Sequence, residues 1–104
     1  MKFVFTYHGG SGMPETEAEQ AQMMEAWGAW MGAVGASTVD GGNPFSENCT
    51  VHPDGSVTND GGANPCTGYG IFNADDMAGA IEIAKGCPVL TGGATVQVSA
   101  AMDM

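Results

Sequence analysis

Four side chains in this sequence could carry acid–base chemistry near neutral pH: His8, Asp40, Asp60 and Tyr69. An imidazole that is oriented by a carboxylate can act as general base or general acid on an activated C–H or O–H bond. His8 ends an apolar segment, and Asp40 and Asp60 each open a Gly-rich Asp-Gly-Gly corner. The pattern points to His8 with Asp40 as its orienting partner, Asp60 as the alternative carboxylate and Tyr69 as a supporting hydroxyl.

The same residues also have a purely structural interpretation. His8 would then cap the end of a strand, and each Asp would hydrogen-bond its own turn, as Asp before Gly commonly does. A metal site built from His8, Asp40 and His52 is not indicated, because no spacing in the chain is diagnostic of metal ligands. The three cysteines are widely spaced and odd in number. We therefore expect reduced thiols, no bound metal and no other cofactor.

Apolar periodicity predicts the elements that must position these residues. Four strands are predicted, over residues 3–8, 36–39, 67–73 and 94–100. Thr16 and Glu19 form a capping box that starts a helix. This helix has one stripe of bulky residues at helical spacing, which is typical of packing on a sheet rather than of a cofactor box: Met23, Trp27, Trp30 or Met31, and Val34. Asp75 is expected to cap a second helix that runs through Lys85.

Residues 46–59 lie between the two Asp-Gly-Gly corners and contain a Pro-Asp-Gly turn signal, which predicts an inserted β-hairpin. Without this insertion the order is β-α-β-β-α-β, the ferredoxin-like pattern of an α+β fold. Right-handed crossovers then order an antiparallel sheet as 4-1-3-2, with both helices on one face. We expect residues 1–104 to form a single domain.

This topology sets the relative positions of His8 and Asp40. The first two strands run parallel, with the third between them. His8 and Asp40 are therefore expected to leave the sheet at the same edge, about 10 Å apart at the backbone. At that separation a water molecule or a small substrate could bridge the two side chains.

The composition restricts the partners. Only two Lys or Arg residues oppose twelve Asp or Glu, giving a formal charge of −10. This charge argues against nucleic acid or a membrane surface as a partner. The N-terminal residues read as a strand rather than a signal peptide, which favours a cytoplasmic location. The helix-free sheet face is too apolar to be fully solvated and too polar to be core, so we expect a homodimer formed through it; its residues are Val4, Thr6, Thr95, Gln97 and Ser99.

Several segments along nearly the whole chain resemble the YCII-related, or DGPF-domain, family of small bacterial proteins. They are the first strand, Ala-Trp-Gly-Ala-Trp at 26–30, Val-Asp-Gly at 39–41 and Ala-Lys-Gly-Cys-Pro-Val-Leu at 84–90. The resemblance implies a dimeric α+β barrel, in which two sheets face each other around a cleft. It also implies a His-Asp pair as a candidate active site.

Two functions of different classes remain open at this point. The first is a small cofactor-free isomerase or lyase that uses the His-Asp pair in a dimer cleft on a small organic acid or carbonyl compound. The second is a non-catalytic dimeric module that binds a small ligand or serves as an accessory protein. The sequence does not decide whether the protein is an enzyme.

Overall fold

The computed structural model describes residues 1–10 and 16–103. Strand β1 covers Lys2–His8, and helix α1 covers Glu17–Ala33. A short 3-10 turn, Gly35–Ser37, leads into β2, Thr38–Asp40. The hairpin consists of β3, Thr50–Val51, and β4, Val57–Thr58. The chain continues with β5, Cys66–Asn73, helix α2, Met77–Lys85, a 3-10 turn at Pro88–Gly92 and β6, Thr95–Ala100.

The sheet has the strand order β2-β5-β1-β6, and β3 and β4 pair only with each other. Counted without the hairpin, this is the predicted order 4-1-3-2 read from the other edge. Strand β1 is central and is antiparallel to both β5 and β6. The predicted ferredoxin-like α+β architecture with an inserted hairpin is therefore confirmed.

Alternation along β1 explains why the helices lie on one face. Phe3, Phe5 and Tyr7 are buried, whereas the residues between them are only half-buried. Phe72 of β5 joins this layer, with its ring centroid 4.6 Å from that of Phe5. Trp30 of α1 packs on Phe72, with the two ring centroids 5.3 Å apart. This aromatic layer and small residues of α2 form the core that fixes both helices on the sheet.

The helix boundaries follow local signals, with one correction. Thr16 caps α1 as predicted, since its hydroxyl accepts a hydrogen bond from the Glu19 amide at 3.1 Å. The cap of α2 is Asp76 rather than Asp75, because the Asp76 carboxylate accepts from the Gly79 amide at 2.8 Å. The predicted second strand also starts later than expected, since residues 35–37 form the 3-10 turn. No helix within the described ranges is long and apolar enough to cross a membrane.

Candidate functional site

His8 lies on the helix-free face of the sheet and uses both ring nitrogens in hydrogen bonds. Nδ1 is 3.0 Å from the carbonyl oxygen of Asn64, and Nε2 is 2.9 Å from the Thr6 hydroxyl. A carbonyl oxygen can only accept, so Nδ1 carries a proton and Nε2 of the neutral ring accepts from Thr6. This arrangement fastens the second Asp-Gly-Gly corner to β1.

Asp40 is held by two donors at the end of β2. Its carboxylate accepts from the Gly42 amide at 2.9 Å and from the Tyr69 hydroxyl at 3.1 Å. Tyr69 is itself fixed by Phe45, whose ring stacks on it with centroids 5.7 Å apart and planes inclined by 21°. The carboxylate is exposed and each oxygen keeps a free lone pair, so it can still accept a proton or a further hydrogen bond.

The structure does not bring His8 and Asp40 together at the same end of the sheet. Asp40 pairs with Ile71, which makes it level with Val4, four residues before His8 on β1. Four residues of strand at about 3.3 Å each and two strand spacings of about 4.8 Å place the Cα atoms roughly 16 Å apart. The short β2 is an edge strand that ends level with the middle of β1, well before the end of the sheet at which His8 lies.

Asp60 makes the local contacts of a turn residue. Its carboxylate accepts from the Gly62 amide at 3.2 Å, and its carbonyl oxygen accepts from the Thr50 hydroxyl at 2.8 Å. His8 bonds to Asn64 of the same corner but not to the carboxylate of Asp60. Of the four residues singled out from the sequence, the structure joins only Asp40 and Tyr69 directly.

A cleft of about 740 Å³ opens between α1, the corner after β2 and the adjoining end of the sheet. One wall consists of thioether and indole side chains from α1, and much of the remainder is glycine, whose missing side chains leave the space open. The lining residues are Tyr7, Gly9, Gly10, Met23, Met24, Trp27, Met31, Gly41–Phe45, Thr67–Tyr69, Val89, Gly92 and Ala94.

The backbone of the corner approaches β5 too closely for side chains. Gly42 has φ +78°, and a Cβ atom there would overlap the carbonyl oxygen of Tyr69. A Cβ on Gly68 would lie 3.2 Å from the Asn43 carbonyl oxygen. Glycine is therefore needed at Gly42 and Gly68, where the corner and β5 pack backbone against backbone.

Tyr7, which lines the cleft, and the neighbouring Cys87 lie on the helix side of the sheet. The Tyr7 hydroxyl is the one buried side-chain polar atom in the described part of the chain without a hydrogen-bond partner. Burial, with the Cys87 thiol beside it, raises the pKa of Tyr7 far above its usual value. Burial also raises the pKa of the Cys87 thiol. The thiol also interacts with the hydroxyl, but sulfur is too weak an acceptor to replace the hydrogen bond that water would provide. Because both pKa values are raised, both groups are neutral at pH 7.

The three cysteines, Cys49, Cys66 and Cys87, form no disulfide. No group of three His, Cys, Asp or Glu side chains lies close enough to hold a metal ion, as far as residues 1–10 and 16–103 are concerned.

Sequence reasoning missed the cleft because it assigned the bulky stripe of α1 to the core. Only Trp30 of that stripe is fully buried, whereas Met23, Trp27 and Met31 are half-buried and line the cleft. The available signal was the coincidence of a wide Met and Trp stripe with Gly-Gly runs, since glycines cannot cover such a stripe.

No protein-family model matches the chain, and none of the curated proteins does. The fold is similar to that of a solved structure, 5-chloro-2-hydroxyhydroquinone dehydrochlorinase (TftG) from Burkholderia phenoliruptrix AC1100, in complex with 2,5-dihydroxybenzoquinone. The TM-score is 0.58 at 15% sequence identity, over 98% of this chain and 94% of the other. The likeness is one of fold alone, so the dimeric α+β barrel assembly and membership of the DGPF family stay predictions.

Proposed function

We propose that this protein binds a small hydroxylated ring compound, a phenol or quinone, in the cleft and acts on it as a cofactor-free isomerase or lyase. The cleft itself carries the proposal. Its volume of about 740 Å³ falls within the range of about 300–1,000 Å³ that is typical of small-molecule sites. Thioether and indole groups suit a flat ring, because sulfur and aromatic faces both contact rings favourably.

Asp40 is the proposed proton acceptor, and Tyr69 orients it. Gly41 and Gly42, which directly follow Asp40, line the cleft, as does Tyr69. Tyr69 is opposite Thr6 in the sheet, so its hydroxyl and the Asp40 carboxylate lie on the helix-free side of this rim, and the proposal requires a ring hydroxyl of the bound ligand to reach across the rim to the carboxylate. A positioned carboxylate contributes about 10²–10⁴-fold to a proton-transfer step.

The proposed reaction begins with transfer of a ring hydroxyl proton to Asp40. The O–H electron pair forms a C=O bond, and the adjacent ring C=C pair takes a proton at carbon from the Asp40 carboxyl group. The net change is an enol-to-keto isomerisation. If that carbon carries a leaving group, the regenerated Asp40 carboxylate takes a proton from a second ring hydroxyl; the O–H pair forms a C=O bond, the ring double bond shifts, and the group leaves with its bonding pair to give a quinone. The name of the fold relative describes a loss of this kind, of hydrogen chloride from a chlorinated hydroxyhydroquinone.

The test is hydrogen–deuterium exchange at the ring carbons of 1,2,4-trihydroxybenzene, followed by NMR in anaerobic D₂O. The wild type is expected to accelerate the exchange, and Asp40→Asn should reduce the acceleration about 100-fold or more. Asp60→Asn is the matched control, since Asp60 makes the same Gly amide contact but has no bond from Tyr69. Equal losses in both variants would contradict the role of Asp40.

His8 was predicted as the base, and its participation stays a prediction. His8→Gln in the same exchange assay decides it, because glutamine can still bond to Thr6 and Asn64 but cannot shuttle a proton at neutral pH. If His8→Gln rather than Asp40→Asn abolishes exchange, the catalytic role passes to His8.

The non-catalytic binding module remains the second candidate, and one observation favours it. The described lining contains no Asp, Glu, His, Lys or Arg. Binding without chemistry is detectable through Trp27, which lines the cleft, with buried Trp30 as the matched control. A ring ligand should quench tryptophan fluorescence in Trp30→Phe but much less in Trp27→Phe. Quenching without any ring-carbon exchange would favour the binding module.

We also propose that two copies pair through the helix-free face. The chain is a slab of 44 × 41 × 18 Å with a radius of gyration of 15.0 Å, against about 13 Å for a compact domain of this length. A second sheet would cover Val4 and Ile71, which are half-buried on this face. Sedimentation at micromolar concentration should give a dimer, and Gln97→Lys on the central part of β6 should weaken it. A wild-type monomer would refute the pairing.

A further inference from the structure

The charged groups of the chain are distributed so that no cation reaches the cleft. The whole sequence holds two Lys, no Arg and two His, and none of these is among the residues 11–15 that lie outside the described ranges. Within this sequence, the candidate counter-charges for an anionic ligand are four side chains and the N-terminal amino group.

Lys2 starts β1 opposite Asn73, about 20 Å along the strand from the glycines that line the cleft. Lys85 forms an ion pair with Glu82 on α2, in which Nζ lies 2.8 Å from Oε1. The N-terminal amino group donates to the Ala74 carbonyl oxygen, near the same end of the sheet as Lys2. All three positive charges thus lie away from the cleft.

The two histidines are committed elsewhere. His8 bonds to Thr6 and Asn64 on the helix-free face, and His52 lies in the hairpin with its Nε2 3.2 Å from the Thr58 hydroxyl. Neither residue lines the cleft. Two charged side chains directly adjoin lining residues in sequence, Glu25 beside Met24 and Asp40 beside Gly41, and both are acidic.

From this distribution we infer that the cleft accepts an uncharged ring and rejects an anionic one, such as a benzoate or a quinone dianion. The inference rests on the proposed function and narrows its substrate class. A carboxylate placed in the cleft would lose hydration without gaining an ion pair, and the net charge of −10 would repel it further. Of the substrate classes expected from the sequence, the carbonyl compound is therefore favoured over the organic acid.

The experiment compares two probes of the same shape, 4-hydroxybenzamide and 4-hydroxybenzoate, at about pH 6.5, where only the second is charged. Binding is measured by calorimetry and by tryptophan quenching. The amide is expected to bind the wild-type protein at least about tenfold more tightly than the carboxylate. Equal or tighter binding of the carboxylate would overturn the inference and leave ring binding intact. If neither probe binds, the proposed function fails and the inference falls with it.

A charge placed in the lining provides the second arm. Met24 lines the cleft and is 75% exposed, so Met24→Lys should fold and bring a cation to the site. This variant should bind 4-hydroxybenzoate about threefold to tenfold more tightly than the wild type does. Met102→Lys is the control, because Met102 is 81% exposed and lies outside the lining. This substitution changes the net charge by the same amount as Met24→Lys. An equal gain in both variants, or a gain in neither, would contradict a local electrostatic cause.

Discussion

Removal of the Tyr7 hydroxyl should stabilise this protein. The hydroxyl is buried without a hydrogen-bond partner. The ring that carries it packs in the core and meets Trp27 edge to face, with the two ring centroids 5.9 Å apart. Tyr7→Phe keeps that ring and deletes only the oxygen. Most core truncations destabilise proteins, so a gain would be specific to an unsatisfied polar group.

The size of the gain follows from two opposing terms. An unsatisfied buried hydroxyl costs about 1–3 kcal/mol of desolvation free energy. The void left by one oxygen atom, about 15 Å³, costs about 0.4 kcal/mol. The free energy of unfolding should therefore rise by about 1–2 kcal/mol. For a domain of this length this corresponds to an increase in Tm of roughly 5–10 °C.

Urea denaturation followed by far-UV circular dichroism measures this difference. The midpoint of Tyr7→Phe should lie about 1 M higher than that of the wild type, with an unchanged slope. Tyr69→Phe is the matched control, because its hydroxyl donates to Asp40 at the surface and its loss should cost up to about 1 kcal/mol. A loss of stability in Tyr7→Phe would refute the reasoning and show that Cys87 or an ordered water satisfies the hydroxyl.

The pH dependence provides a second readout of the same group. Burial raises the pKa of Tyr7 above its ordinary value of 10.0, so the folded state keeps this proton where the unfolded chain releases it. The retained proton contributes in full to the free energy of unfolding below about pH 10. This contribution is lost as the pH rises further, at about 1.4 kcal/mol per pH unit. Tyr7→Phe should lack this loss. Cys87, whose pKa is raised in the same direction from 9.0, should still weaken the variant at alkaline pH.

Three further predictions concern the fold. Asp76→Ala should lower the free energy of unfolding by about 1 kcal/mol because it removes the cap of α2, while Asp75→Ala should change it by less than about 0.5 kcal/mol; equal effects in urea denaturation would contradict the assigned cap. Replacement of residues 46–59 by a short Gly-Ser linker should leave a cooperatively folded protein, since β3 and β4 pair only with each other; loss of the unfolding transition would show that the hairpin supports the core. Added NaCl should raise Tm through screening, because the described residues show one ion pair against a net charge of −10; a Tm independent of salt would contradict this.

The sequence by itself determined the fold class and the order of the elements. The start of α1 at Thr16, the turn of the inserted hairpin and the alternation of β1 all depend on residues within a few positions of each other. Such short-range signals are encoded locally, so they could be interpreted without the tertiary structure. The sheet order followed from them because right-handed crossovers leave few alternatives.

The tertiary structure decided the site. Asp40 and Asp60 open the same local motif and accept the same kind of Gly amide bond, so the sequence could not choose between them. Only the pairing of β2 with β5, which has an irregular register, places Tyr69 beside Asp40 and leaves His8 far along β1. Strand register and the space left by glycines depend on contacts between residues distant in sequence. For this reason the cleft and its polar rim could not be derived from local pattern alone.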